Sequence, residues 1–199
     1  MKTLIIVDFQ KDFCNPNGSL YVPGAEEAEQ AIVDYIENNY KDILNVLFTV
    51  DWHSPNHCSF EKNGGIWPTH CIQFSEGSGI SNTLIDTCMT YDLPFRVFKK
   101  GNADTIEEYG AFTYTTFNEK DAIINVRNEL NQSQYIYSTD LVVCGLAGDY
   151  CVKETIKNLL RLQSFHNEIN IEVLKDGVAS IDGGSTFNNF INSNHLKTI

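Results

Sequence analysis

The sequence predicts an α/β fold in which a mostly parallel central sheet lies between two layers of helices, α/β/α. Three observations carry this expectation. Apolar runs of strand length alternate with segments of helical periodicity along the whole chain. The runs at residues 4–7, 44–50 and 141–146 are apolar almost throughout, as strands covered on both faces are. Residues with chemistry to offer follow these runs directly: Asp8, Asp51, Lys99 or Lys100, and the segment from Ala147 to Cys151. A parallel sheet puts all of these at one edge, beyond the carboxyl ends of its strands, where such sheets bind ligands.

Taken in order, residues 4–7 form the first strand and residues 25–40 a helix with Ala28, Ile32, Tyr35 and Ile36 on one face. Residues 44–50 form the second strand. Residues 51–79 carry Pro55, Gly64, Gly65, Pro68, Gly77 and Gly79 and read as a loop. Loops of this length in compact domains are usually functional or disordered. Trp52, Phe60, Trp67 and Phe74 give this one apolar side chains to order around. Residues 80–89 read as a short helix, 95–98 as the third strand, 99–111 as a polar loop and 121–130 as a helix. A polar excursion, 131–138, leads to the strand at 141–146. A helix with Ile156, Leu159, Leu160 and Leu162 follows Cys151. A strand at 169–174 and a helix at 186–194 complete the pattern. No repeat or low-complexity linker divides the chain, so residues 1–199 are expected to form one domain.

A net charge of −12 argues against nucleic acid and anionic membrane as partners. The first apolar run stops at Asp8, too short for a signal peptide, and no later run reaches membrane-spanning length. Six cysteines without any CxxC spacing suit reduced thiols in a cytoplasmic protein. Asp8-Phe9-Gln10 follows the first strand where a nucleotide binder would carry a glycine-rich phosphate turn, which excludes that class.

Cys151 sits where a buried strand turns into a helix. Unpaired helix N-terminal amides there favour a thiolate and can hold an oxyanion, so a nucleophile weighs against a small buried core residue. Asp8, beside an apolar wall, is expected to have a raised pKa and to exchange protons, or else to cap a turn. A lysine beside the thiol would lower the thiol pKa. Lys99 and Lys100 point oppositely in a strand, so one of them faces the site and the other solvent. Asp51 and His53 share a side in extended chain, and His57 and His70 lie on the same loop. Asp and His ligands suit zinc, iron or manganese; the alternative is a set of loop histidines without metal. His166 and His195 read as surface residues. Phe13, Trp67, Tyr109 and Tyr150 could form a flat apolar slot for a ring, or simply pack.

These residues fall within Val7-Asp8-Phe9-Gln10-Lys11-Asp12-Phe13, Asp51-Trp52-His53-Ser54-Pro55-Asn56-His57-Cys58-Ser59-Phe60 and Trp67-Pro68-Thr69-His70-Cys71-Ile72. Lys100-Gly101, Tyr109-Gly110-Ala111-Phe112 and Gly145-Leu146-Ala147-Gly148-Asp149-Tyr150-Cys151-Val152 follow. In this order they resemble the nicotinamidase/pyrazinamidase branch of the isochorismatase-like cysteine hydrolases. The resemblance implies a three-layer, Rossmann-like α/β/α fold and a triad of Asp8, Lys100 and Cys151. It implies a cis peptide between Leu146 and Ala147 and an oxyanion hole from the amides of Ala147 and Cys151. It places a divalent metal on Asp51, His53 and His70, zinc foremost, with iron and manganese as alternatives. His57 matches a position that ligates metal in only some relatives. Phe13, Trp67, Tyr109 and Tyr150 would surround the substrate.

The implied activity is hydrolysis of nicotinamide, and of pyrazinamide, to the acid and ammonia through a cysteine thioester, in NAD salvage. Relatives often assemble, so the resemblance allows a homo-oligomer without fixing the oligomeric state. The nearest rival is a relative acting on a carbamoyl or ureido amide; a metal beside a ring slot favours the pyridine. A binding protein that kept the fold and lost the chemistry is opposed by the complete triad. The chain departs from the family pattern at Gln73-Phe74-Ser75, at Gly110 in place of serine and at Gly148 in place of threonine, which bears on pocket shape and substrate preference.

Overall fold

The structure is a computed structural model that describes residues 1–112, 138–165 and 168–199. The helix expected at 121–130, residues 131–137 of the polar excursion and His166 lie outside the described residues.

Among the described residues, six strands form one sheet: β1 (Lys2–Val7), β2 (Ile43–Asp51), β3 (Phe95–Lys100), β4 (Asp140–Gly145), β5 (Asn170–Val178) and β6 (Lys197–Thr198). Their order is β3-β2-β1-β4-β5-β6, and every neighbouring pair is parallel. The described helices are α1 (Lys11–Cys14), α2 (Ala25–Asn39), α3 (Asn82–Thr90), α4 (Lys153–Phe165) and α5 (Ser185–Ser193).

Side-chain alternation in β1 builds the two outer layers. Leu4 and Ile6 pack on one face with Ile32 and Ile36 of α2 and Leu84 and Cys88 of α3. Ile5 and Val7 pack on the other with Ile156 and Leu159 of α4 and Phe187 and Ile191 of α5. This is the expected α/β/α arrangement. Ile32 and Ile36, spaced one helical turn apart, are fully buried, and each such side chain contributes roughly 1.5–3 kcal/mol. Ser81 starts α3 by accepting a hydrogen bond from the Leu84 amide.

Several boundaries differ from expectation in ways that matter for the site. The β2–β3 ladder runs on to a last rung where Asp51 pairs with Lys100, so both residues belong to strands rather than to the loops after them. β3 is an edge strand with Phe95 and Val97 exposed; burial on both faces fails there. β5 continues past a register shift to Val178. β6, with two residues, and α1, with four, are too short to show a period. The long loop after β2 is held by bridges pairing His53 with Ile72 and Phe60 with Trp67, and Phe60 is fully buried. Phe74 is instead 87% exposed. No helix among the described residues is long and apolar enough to cross a membrane.

Candidate active site

The carboxyl ends of β1, β2, β3 and β4 bring Asp8, Asp51, Lys100 and Cys151 together. Asp8 leaves β1 with φ of 47°, a conformation that non-glycine residues adopt rarely and often at functional positions. Its amide donates to the Thr49 carbonyl (3.0 Å), and the Thr49 hydroxyl donates to its Oδ1 (2.7 Å). Cys151 sits in a π-helical turn, Gly148–Val152, between β4 and α4. The amides of Tyr150 and Val152 both donate to the Ala147 carbonyl (3.0 and 3.1 Å), which fixes the turn around the thiol. The Asp149 carboxylate accepts from the amides of Ile181 and Asp182 and ties the turn to the segment after β5. The peptide between Leu146 and Ala147 is cis.

Lys100 is the hub. Its Nζ lies 2.8 Å from Asp8 Oδ2 and 3.6 Å from Cys151 Sγ, and it donates to Asp51 Oδ1. Asp8 Oδ2 has Lys100 at ion-pair distance but makes no directed hydrogen bond. Lys99 faces the other way; it is exposed, with its ammonium 4.0 Å over the Trp52 ring.

The electrostatics follow from burial and these neighbours. Burial raises the Asp8 pKa, opposed by Lys100 and reinforced by Asp51. For Lys100, burial works against its charge, but Asp51, Asp8 and Cys151 outweigh it and hold the ammonium charged. Burial would also raise Asp51, yet Lys100, His53 and His70 together keep its carboxyl well below the usual range. Burial pushes the Cys151 thiol up; Lys100 opposes this, and Asp8 and Asp51 add to it. These effects oppose the thiolate that helix amides and the lysine favour. The turn is buried and two carboxylates lie near the sulfur, so forming the thiolate calls for a base, and Asp8 lies in the same cluster.

Asp51 Oδ2 faces Nε2 of His53 (3.5 Å) and of His70 (3.9 Å). The Nδ1 atoms of the two rings contact the carbonyls of Gly101 (2.9 Å) and Pro68 (2.7 Å). Carbonyls only accept, so Nδ1 carries the proton and Nε2 presents its lone pair inward. One carboxylate oxygen and two imidazole nitrogens within 4.8 Å of one another fit a divalent cation and leave positions open on the cavity side. Asp8, Asp51 and Cys151 form a second such cluster, but the Lys100 ammonium already fills its centre. Gly101, at φ of 64°, is required here: a Cβ would stand 2.4 Å from Cε1 of His53. His57 is buried beside His53, ring to ring at 4.0 Å. Its Nε2 donates to the Ile106 carbonyl (3.1 Å) and its Nδ1 accepts from the Ser59 hydroxyl (2.7 Å), so both nitrogens are engaged away from the donor group. His195 is exposed.

A cavity opens over Cys151, lined by Phe13, Trp67, Tyr109 and Tyr150 together with Asp51 and His70. Phe13 packs 5.4 Å from the His70 ring. Opposite it, Trp67 Nε1 donates to the Tyr109 hydroxyl (3.0 Å) and Tyr150 meets Trp67 edge-on at 5.0 Å. Leu20, Val22, Glu107 and Ile181 also line the cavity and were not anticipated. They sit in irregular segments with no period, and no sequence signal marks them.

No protein-family model matches the chain. The nicotinamidase of Saccharomyces cerevisiae is 31% identical over 179 residues, covering 78% of this chain and 79% of that protein. The chain belongs to the nicotinamidase family. Among solved structures, the yeast nicotinamidase bound to the inhibitor nicotinaldehyde superposes with a TM-score of 0.79 at 26% identity, covering 100% of this chain and 99% of the other. The pyrazinamidase of Pyrococcus horikoshii in complex with zinc gives 0.75 at 28% identity, covering 100% and 98%.

Within this nicotinamidase fold the departures have local causes. A Cβ on Gly110 would meet the Glu154 backbone at 2.7 Å and the Asn158 amide nitrogen at 2.8 Å. A Cβ on Gly148 would meet Ser180 Oγ at 2.3 Å and a Val178 methyl at 2.8 Å. Both glycines fill space that their neighbours have closed. Phe74 packs edge-on against Trp52 at 5.2 Å, outside the cavity.

Proposed function

We propose that residues 1–199 act as one hydrolase domain that converts nicotinamide to nicotinate and ammonia through a thioester on Cys151. One observation carries this reading: Cys151, its sulfur 3.6 Å from the Lys100 ammonium, lines an aromatic cavity that Asp51 and His70 also line.

The pyridine ring enters between Phe13 and the group of Trp67, Tyr109 and Tyr150. Asp8 Oδ2 takes the thiol proton and Lys100 holds the resulting charges. The thiolate attacks the carboxamide carbon. The amides of Ala147 and Cys151 receive the oxyanion, each donor contributing about 3 kcal/mol. Asp8 returns its proton to the departing ammonia, then accepts one from the water that opens the thioester. Asp51, His53 and His70 would hold a divalent cation, which would supply a Lewis acid beside the ring. Zinc is the foremost candidate, in keeping with the zinc in the Pyrococcus relative, and iron and manganese suit the same donors. Pyrazinamide, similar in size and shape, is a second substrate.

Chromatography of nicotinamide incubated with the metal-loaded protein tests the reading. Nicotinate should appear, and benzamide, which lacks the ring nitrogen, should react far more slowly. Equal rates for the two amides would remove any role of the ring nitrogen in binding, and no nicotinate would remove the activity.

A further inference from the structure

Thr49 lies in β2, opposite Val7, and is fully buried. A β-branched residue in a central strand needs no explanation beyond packing. Its hydroxyl, however, is spent on Asp8. It donates to Asp8 Oδ1 at 2.7 Å and accepts from the Asp8 amide at 3.3 Å. A carboxylate on a single bond can rotate to offer either oxygen to its surroundings. Here one oxygen is claimed by a donor that has no other proton to give. Oδ2 is therefore the oxygen turned to Lys100, 2.8 Å away, in a group where Asp8, Asp51 and Cys151 converge within 4.8 Å. Oδ2 is also the one buried polar side-chain atom among the described residues that lacks a directed hydrogen bond. Its unused lone pair is where a thiol proton can go.

We propose that Thr49 is a positioning residue for the hydrolysis. Its hydroxyl fixes the rotation of the Asp8 carboxylate and so decides that Oδ2 exchanges the proton with Cys151. The proposal rests on the thioester reading above. Thr49 does not line the cavity, so its loss should act on turnover and leave substrate binding alone.

Shape and hydrogen bonding make opposite demands at this position, which gives the test. Valine copies the outline of threonine without the hydroxyl; serine keeps the hydroxyl and drops the methyl. With wild-type protein alongside, Thr49→Val and Thr49→Ser are compared for kcat and KM on nicotinamide, bound metal and circular dichroism. Thr49→Val should lose kcat by about 10- to 100-fold, the weight of one hydrogen bond to a charged group, with KM within about twofold of wild type. Thr49→Ser should recover most of the turnover. The reverse order, valine active and serine impaired, would show a packing role and overturn the proposal. If Thr49→Val does not fold, Thr49→Ala replaces it, since both small variants lose the methyl and only serine keeps the donor. Equal kcat in serine and alanine variants would equally overturn it. Wild-type protein that releases no ammonia would instead remove the activity reading, and this proposal with it.

Discussion

Asp51 joins the Asp8–Lys100–Cys151 cluster to the candidate metal group: its Oδ1 accepts from Lys100, while its Oδ2 faces the Nε2 atoms of His53 and His70. The two residues are partners on the last rung of the β2–β3 ladder, so the geometry is set by strand register rather than by a loop. One carboxylate thus serves a buried ammonium on one side and a cation site on the other.

Asp51→Ala should lose bound metal, since one of three donors disappears. Atomic absorption on the purified variant checks this. Metal content equal to wild type would remove Asp51 from the ligand set.

Lys100→Met should be strongly destabilising. It leaves Asp8 and Asp51, 0% and 5% exposed, facing each other without a cation. Breaking a buried pair in this way costs about 3–5 kcal/mol. Denaturant unfolding of the metal-free proteins measures it, and a loss under about 1 kcal/mol would mean the charges are better solvated than their burial indicates.

The Lys100 assignment shows where the sequence was legible and where it was not. Strand alternation required that Lys99 and Lys100 part company without choosing between them, and the family resemblance pointed to Lys100. β3 reaches Lys100, which turns that side chain toward Asp8 and Cys151 and leaves Lys99 stacked on Trp52. Asp8, Asp51 and Cys151 could be placed because each follows a clear apolar run. The state of the thiol could not, because it depends on burial and on carboxylates brought in from β1 and β2. The Ser59 partner of His57 is only two residues on, but its contact with Ile106 joins residues 49 apart and leaves no local pattern. The cavity residues Leu20 and Ile181 are hidden for the same reason.

Gly148→Thr, the residue that the family pattern implies here, should destabilise this chain. Its Cβ would stand 2.3 Å from Ser180 Oγ and 3.1 Å from the Phe187 ring. Overpacking of this kind costs about 1–3 kcal/mol. The π-helical turn carrying Cys151 should shift as well, so both the melting temperature and kcat should fall. A variant as stable and active as wild type would mean that Ser180 and Phe187 move aside freely.

Glu172 bridges Lys2 of β1 and Lys197 of β6, and hydrogen bonds from Lys197 and Lys2 hold its pKa below the usual carboxylate value. A lowered folded-state pKa means that the bridge stabilises the protein above the unfolded value of about 4.3. That contribution is lost as pH falls through the lowered folded value. The lysines are partly exposed, so the difference between wild type and Glu172→Gln should be at most about 1 kcal/mol at neutral pH. Urea unfolding across acid pH should show the gap closing; a gap independent of pH would contradict the assignment.

The covalent route through Cys151 is tested most directly by ammonia release from nicotinamide, measured for wild type as purified, after chelation and after metal is restored, beside Cys151→Ala. Wild type should release ammonia, lose that activity on chelation and regain it with metal. Cys151→Ala should fall by more than about a thousandfold with an unchanged circular dichroism spectrum. Retention of even a few per cent of wild-type activity by the alanine variant would contradict a thioester mechanism.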